Sequence, residues 1–95
     1  MPLFTLVCID KPNALATRMA AREDHLVWAR ERLDQIKMAG PFLDEGGGMV
    51  GSLLIIEAED LAAARAFAAA DPYGKAGLFE RVDINGFRTT LGHQL

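Results

Sequence analysis

The sequence predicts one α+β domain with the element order β-α-β-β-α-β. Three observations carry this expectation. A run of β-branched and aromatic residues opens the chain, helical periodicity then appears in two separate segments, and strand-like runs with turn residues at their ends follow each helix.

Residues 3–9, "LFTLVCI", read as the first strand and end at the punctuation "DKPN". From about Ala14 to Ala39 the apolar period becomes helical, with Leu15, Met19, Leu26, Ala29, Leu33 and Ile36 along one stripe and Gly40-Pro41 as the stop. A short strand is expected near Phe42 and Leu43, then a loop of three glycines that calls for positive φ, then a stronger strand from about Val50 to Ala58. No Lys-Ser or Lys-Thr follows those glycines, so a phosphate-binding loop is not supported. Asp60 can cap a second helix, "LAAARAFAAA", running to about Ala70 with Leu61, Ala64, Phe67 and Ala68 inward; its alanines imply close packing. Residues 78–88 alternate around Val82 and Ile84 as a last strand, and 89–95 form a tail to a single domain spanning 1–95.

This order is the ferredoxin-like arrangement, in which two helices cover one face of a four-stranded antiparallel sheet. Strand alternation puts Leu53 and Ile55 opposite Leu54 and Ile56, and Leu3, Val7 and Ile9 opposite Phe4, Leu6 and Cys8. Both faces are therefore apolar. The expected cover for the second face is another copy of the chain, a sheet-on-sheet homodimer, rather than the tail alone.

Composition narrows the function classes. A net charge of −3, with Lys and Arg scattered along the chain, argues against a nucleic-acid partner. Cys8 is the single cysteine, so no intrachain disulfide can form, and a reducing, cytoplasmic setting is expected. The apolar opening lacks a basic leader, and no run approaches the ~20 apolar residues that span a bilayer, so no membrane role is expected. His25, His93 and Cys8 are too far apart in sequence for a ready zinc site, and there is no glycine fingerprint for a flavin or nicotinamide; neither metal nor cofactor is expected. His93 falls in the tail, where a solvent-exposed position is expected.

Some charged groups sit where stability alone would not put them. Arg22 interrupts the apolar stripe of the first helix, His25 lies one turn on, and Arg18 and Trp28 extend the same ridge. Asp71 comes at the carbonyl end of the second helix, where a carboxylate is repelled, immediately before Pro72, which cannot continue the helix. Each can be explained singly as a surface ion pair or boundary residue. Their coincidence is harder to dismiss, because helices lying side by side would let Asp71 face the ridge on the first; Trp28 and Tyr73 are candidates to line an apolar pocket.

Arg22-x-x-His25, "AGPFLDEGGGMVGSLLI" (39–55), "AEDLAAARAFAAADPY" (58–73) and "AGLFERVDINGF" (76–87) resemble the YCII-related (YciI-like) family over nearly the whole chain. The resemblance implies a ferredoxin-like fold dimerised as an α+β barrel, with His25 and Asp71 as the active-site pair and Arg22 as the arginine preceding the histidine. It also implies elimination chemistry on hydroxylated, chlorinated aromatic rings, the reaction of those relatives whose activity is understood. Gly86-Phe87 stands where many relatives have Pro-Trp, so substrate identity does not transfer. In chemical terms His25 would be the general base, Asp71 its orienting carboxylate and Arg22 the cation beside a developing enolate or phenolate. The competing readings are a dimeric module that binds a small ligand without turnover, and a structural dimer in which Asp71 caps a loop.

Overall fold

A computed structural model describes all residues, Met1–Leu95. The elements are β1 (Leu3–Asp10), α1 (Leu15–Arg30), β2 (Ile36–Leu43), β3 (Met49–Glu57), α2 (Leu61–Ala69), a short α3 (Pro72–Lys75) and β4 (Phe79–Phe87). The strands form one antiparallel sheet in the order β2-β3-β1-β4. This is the ferredoxin-like α+β arrangement expected from the sequence. No helix is long and apolar enough to cross a membrane.

Register decides which side chains meet the helices. Phe4 lies opposite Ile56, Leu6 opposite Leu54 and Cys8 opposite Ser52, so these six share one face. Five of them pack with Trp28 of α1 and with Ala64 and Phe67 of α2 in the main core. Ala64 is wholly buried, and its small side chain lets α2 sit close to the sheet. A smaller cluster of Ala21, Tyr73 and Leu78 joins α1 to α3 and the start of β4. On the opposite face lie Leu3, Thr5, Val7 and Ile9, with Leu53 and Ile55 from β3 and Met38 from β2. No helix covers them.

The first helix departs from expectation in two ways. It ends at Arg30 rather than near Ala39, and residues 36–43 pair with β3 as an edge strand. Residues 31–35 are good helix formers, so local propensity does not reveal the stop; the unpaired edge of β3 takes the segment instead. Pro41 is tolerated there because an edge strand has a side without ladder bonds. The inward stripe also differs. Leu15 and Met19 are 51 % exposed and Leu33 65 % exposed, while Arg18, Ala21 and Trp28 are buried and His25 half-buried. A count of apolar residues misses this phase because Arg18 enters the interior as part of an ion pair.

The second helix follows expectation. Asp60 accepts a hydrogen bond from the Ala63 amide at 2.8 Å and caps it. The three-glycine loop is closed by Asp44, whose Oδ1 accepts from the amides of Gly46 and Gly48, and Gly47 takes φ +85°. Gly51 is required for a different reason. A Cβ there would lie 2.6 Å from the Cys8 carbonyl oxygen and 3.0 Å from the Phe42 ring. Gly51→Ala must push β1 and β3 apart, and a loss of about 1–3 kcal/mol is expected, read as a lower denaturation midpoint in urea.

Candidate active site

The missed helix α3 explains how Asp71 is held. Asp71 is its N-cap: one carboxylate oxygen, Oδ1, accepts from the Tyr73 amide at 2.9 Å, while Pro72 occupies the first turn, where its lack of an N–H costs nothing. The same Oδ1 lies 2.8 Å from His25 Nδ1. Asp71 thus closes α2, opens α3 and grips a side chain of α1. A carboxylate only accepts, so Nδ1 carries the proton, and in the neutral imidazole the lone pair resides on Nε2. The side chains are 13 % (His25) and 4 % (Asp71) exposed. Tyr73 stacks on the imidazole with centroids 4.0 Å apart and planes 15° from parallel, fixing the ring in a second direction.

Arg18 enters from the first turn of α1. Its Nε and Nη2 donate to Asp10 Oδ2 and Oδ1 at 2.8 and 3.0 Å, and Nη2 also donates to Ser52 Oγ at 2.8 Å. Burial opposes the guanidinium charge, but the hydrogen bonds and charge of Asp10 outweigh it, and the pKa of Arg18 is raised. The guanidinium carbon lies 4.6 Å from the Tyr73 ring centroid. Arg18 and Tyr73 lie close enough to influence each other's ionisation through charge and hydrogen bonding.

These groups meet at a cavity of about 240 Å³ between α1, α3 and the β2–β3 hairpin. Arg18, Arg22, His25, Ser52 and Tyr73 supply its polar and aromatic lining, and Ala39, Gly40, Pro41 and Met49 line the hairpin side. The volume falls below the ~300 Å³ at which drug-sized pockets begin, which suits a ligand of about one ring. A wider, shallower depression of about 870 Å³ runs between α1 and α3, lined largely by alanines with Thr17, Asp24 and Lys75. None of the buried polar groups reaches it, so the smaller cavity is the better candidate site. No three His, Cys, Asp or Glu side chains converge in a way that could hold a metal ion.

Of the residues singled out in the sequence, His25, Asp71 and Tyr73 come together. Arg22 lines the same cavity but is exposed on α1, not buried in its stripe. Trp28 does not line the cavity. It is 7 % exposed and packs on Phe67 in the core, because the inward phase of α1 turns it toward the sheet. Its Nε1 is enclosed without a partner. Asp10 and Ser52 were missed. Their signal was parity: both fall on the core-facing alternation, Asp10 after Phe4, Leu6 and Cys8, and Ser52 before Leu54 and Ile56. Cys8 lies in that same layer; burial foremost, then the negative charge of Asp71, pushes its thiol up to about 12, so it has no thiolate character at neutral pH.

A YCII-related domain matches residues 2–88. The chain belongs to the YCII-related family. Among YCII-related proteins, it is 36 % identical over 94 residues to Protein YciI of Escherichia coli, covering 90 % of this chain and 96 % of that protein. A solved structure of 5-chloro-2-hydroxyhydroquinone dehydrochlorinase (TftG) from Burkholderia phenoliruptrix AC1100, in complex with 2,5-dihydroxybenzoquinone, superposes with a TM-score of 0.88 at 32 % identity, covering 93 % of this chain and 95 % of that one. PA3566 from Pseudomonas aeruginosa superposes with a TM-score of 0.57 at 14 % identity over 95 % of each chain, a likeness of fold alone.

Tyr73 is the only tyrosine, so its ionisation can be read directly. Burial raises its pKa, with Arg18 pulling the other way. Absorbance at 295 nm should give a higher titration midpoint in the native protein than in denaturant. The sign follows: stability from the buried phenol is fully present below the unfolded tyrosine pKa of about 10 and is lost as pH rises through the folded value.

Proposed function

We propose that this YCII-related protein is an acid–base enzyme acting on a small hydroxylated aromatic or enolisable substrate, by elimination or isomerisation. The observation that carries the reading is the 2.8 Å contact between His25 Nδ1 and Asp71 Oδ1, with the imidazole on the wall of a cavity of about one ring's size. Nε2 takes a proton from a phenolic O–H or an acidic C–H. Asp71 holds the tautomer and favours the imidazolium that forms. In an elimination, the electron pair of the broken C–H bond becomes the new π bond, and the leaving group departs with its own pair. Arg22 at the cavity wall steadies the anionic charge, and Tyr73 bounds the ring. Similarity to a dehydrochlorinase at 32 % identity supports this reaction class.

His25→Ala should lower turnover about 10²- to 10⁴-fold, measured over a panel of chlorinated hydroquinones, phenols and enols. Asp71→Asn should keep the α3 cap, since an amide oxygen also accepts from the Tyr73 amide, yet lower turnover to a similar degree. Full activity of His25→Ala would exclude the mechanism. Saturable binding without any product by the unmodified protein would favour the ligand-binding module.

We also infer that a second copy covers the open face of the sheet. Leu3, Val7, Ile9 and Leu53 on that face are half-buried and Met38 is 48 % exposed, while Ile55 at its centre is already buried. The β4 side carries Arg81 and Asp83, paired at 2.9 Å, so the apolar surface is off-centre toward β2 and β3. Light scattering should report twice the monomer mass, and Val7→Lys should shift the protein to monomer.

A further inference from the structure

The acid–base reading leaves the inner end of the cavity without a task. Arg18 is 2 % exposed, and two of its three nitrogens are engaged by Asp10 and Ser52. Its Nη1 donates to neither Asp10 nor Ser52; the Tyr73 side chain is the one other protein group close to the guanidinium, near enough for the two to perturb each other's ionisation, and Nη1 is not among the fully enclosed unpartnered atoms. Nη1 carries two N–H groups, and the Tyr73 hydroxyl can take at most one of them; because Arg18 lines the cavity, the other is open to a ligand there. Ser52 is in the same position. Its Oγ accepts from Arg18 Nη2, which leaves the hydroxyl proton free, and no protein acceptor takes it. Ser52 is 5 % exposed and also lines the cavity.

We propose that Arg18 and Ser52 form a two-donor subsite for one anionic oxygen, a phenolate or enolate oxygen, of a monocyclic ligand. The inference deepens the acid–base reading and rests on it for the ligand class, but it uses different atoms. Asp10 cancels most of the net charge of Arg18, so the subsite supplies directed hydrogen bonds rather than a loose attraction for any anion. Three hydrogen bonds hold the guanidinium before a ligand arrives, so little reorganisation accompanies binding. The oxygen would rest at the inner end of the cavity while the reacting proton faces His25.

The test uses 4-nitrophenolate as the probe, at a pH where it is ionised, with uncharged 4-nitroanisole as its counterpart. Binding to the full-length protein is followed by the phenolate absorbance and by calorimetry. Ser52→Ala should weaken 4-nitrophenolate about 10- to 100-fold, the effect of one hydrogen bond to a charged group, and leave 4-nitroanisole unchanged. Ser52→Cys, close in size but a weak donor, should weaken the anion in the same way and guards against a folding defect in the alanine variant. His25→Ala should still bind the anion, which separates this subsite from the proton-transfer pair. Equal affinity of both Ser52 variants and the unmodified protein would overturn the proposal, as would the absence of saturable phenolate binding.

Discussion

The buried pair of Arg18 and Asp10 is the constraint on which the rest of the site depends. A guanidinium is admitted to the interior only where its donors are met, and Asp10 at the end of β1 and Ser52 within the neighbouring β3 meet them. That contact fastens the first turn of α1 to the sheet and sets the rotation of the helix. With Arg18 inward, the residues seven and ten positions later, His25 and Trp28, are also turned inward, one to the cavity and one to the core. Removing one partner of such a buried pair typically costs about 3–5 kcal/mol, enough to threaten a domain of this size.

The far side of the site is fixed by α3, a helix of a single turn. Asp71 is bound there by the amide of Tyr73, whose ring lies against the imidazole that Asp71 also holds. The three residues therefore brace one another: the cap positions the carboxylate, the carboxylate positions the imidazole, and the aromatic ring limits its tilt. A carboxylate that looks misplaced at the end of α2 is well placed once the chain is seen to begin a new helix at the next residue. Its structural task and its proposed chemical task use the same oxygen, so neither explanation displaces the other.

The element order was legible because alternation in β1 and β3 and the capped alanine run of α2 agree with their local propensities. The end of α1 was not, since residues 31–35 favour helix and only the open edge of β3 draws the following segment into a strand. The phase of α1 was hidden for a related reason: hydrophobicity counts Arg18 as outward, and its partner is on a strand eight residues earlier. His25 and Asp71 were found through their anomalous positions, with family resemblance adding weight. Trp28 lies in the core through the same difference of phase, Asp10 was readable only by extending strand parity past the last apolar residue of β1, and Ser52 only by carrying parity through the polar position between Val50 and Leu54.

The cavity draws its charges and its rim from different parts of the chain. Arg18, His25, Ser52 and Tyr73 sit on elements locked into the core, whereas Ala39, Gly40, Pro41 and Met49 come from the strands flanking a glycine-rich turn. Ala39, Gly40 and Pro41 have small side chains and lie on an outer strand, so enlarging or recolouring them disturbs no ion pair. The outline of the cavity can thus change through the hairpin while its charged lining stays put, a division of labour by which few, mild changes would alter what fits inside.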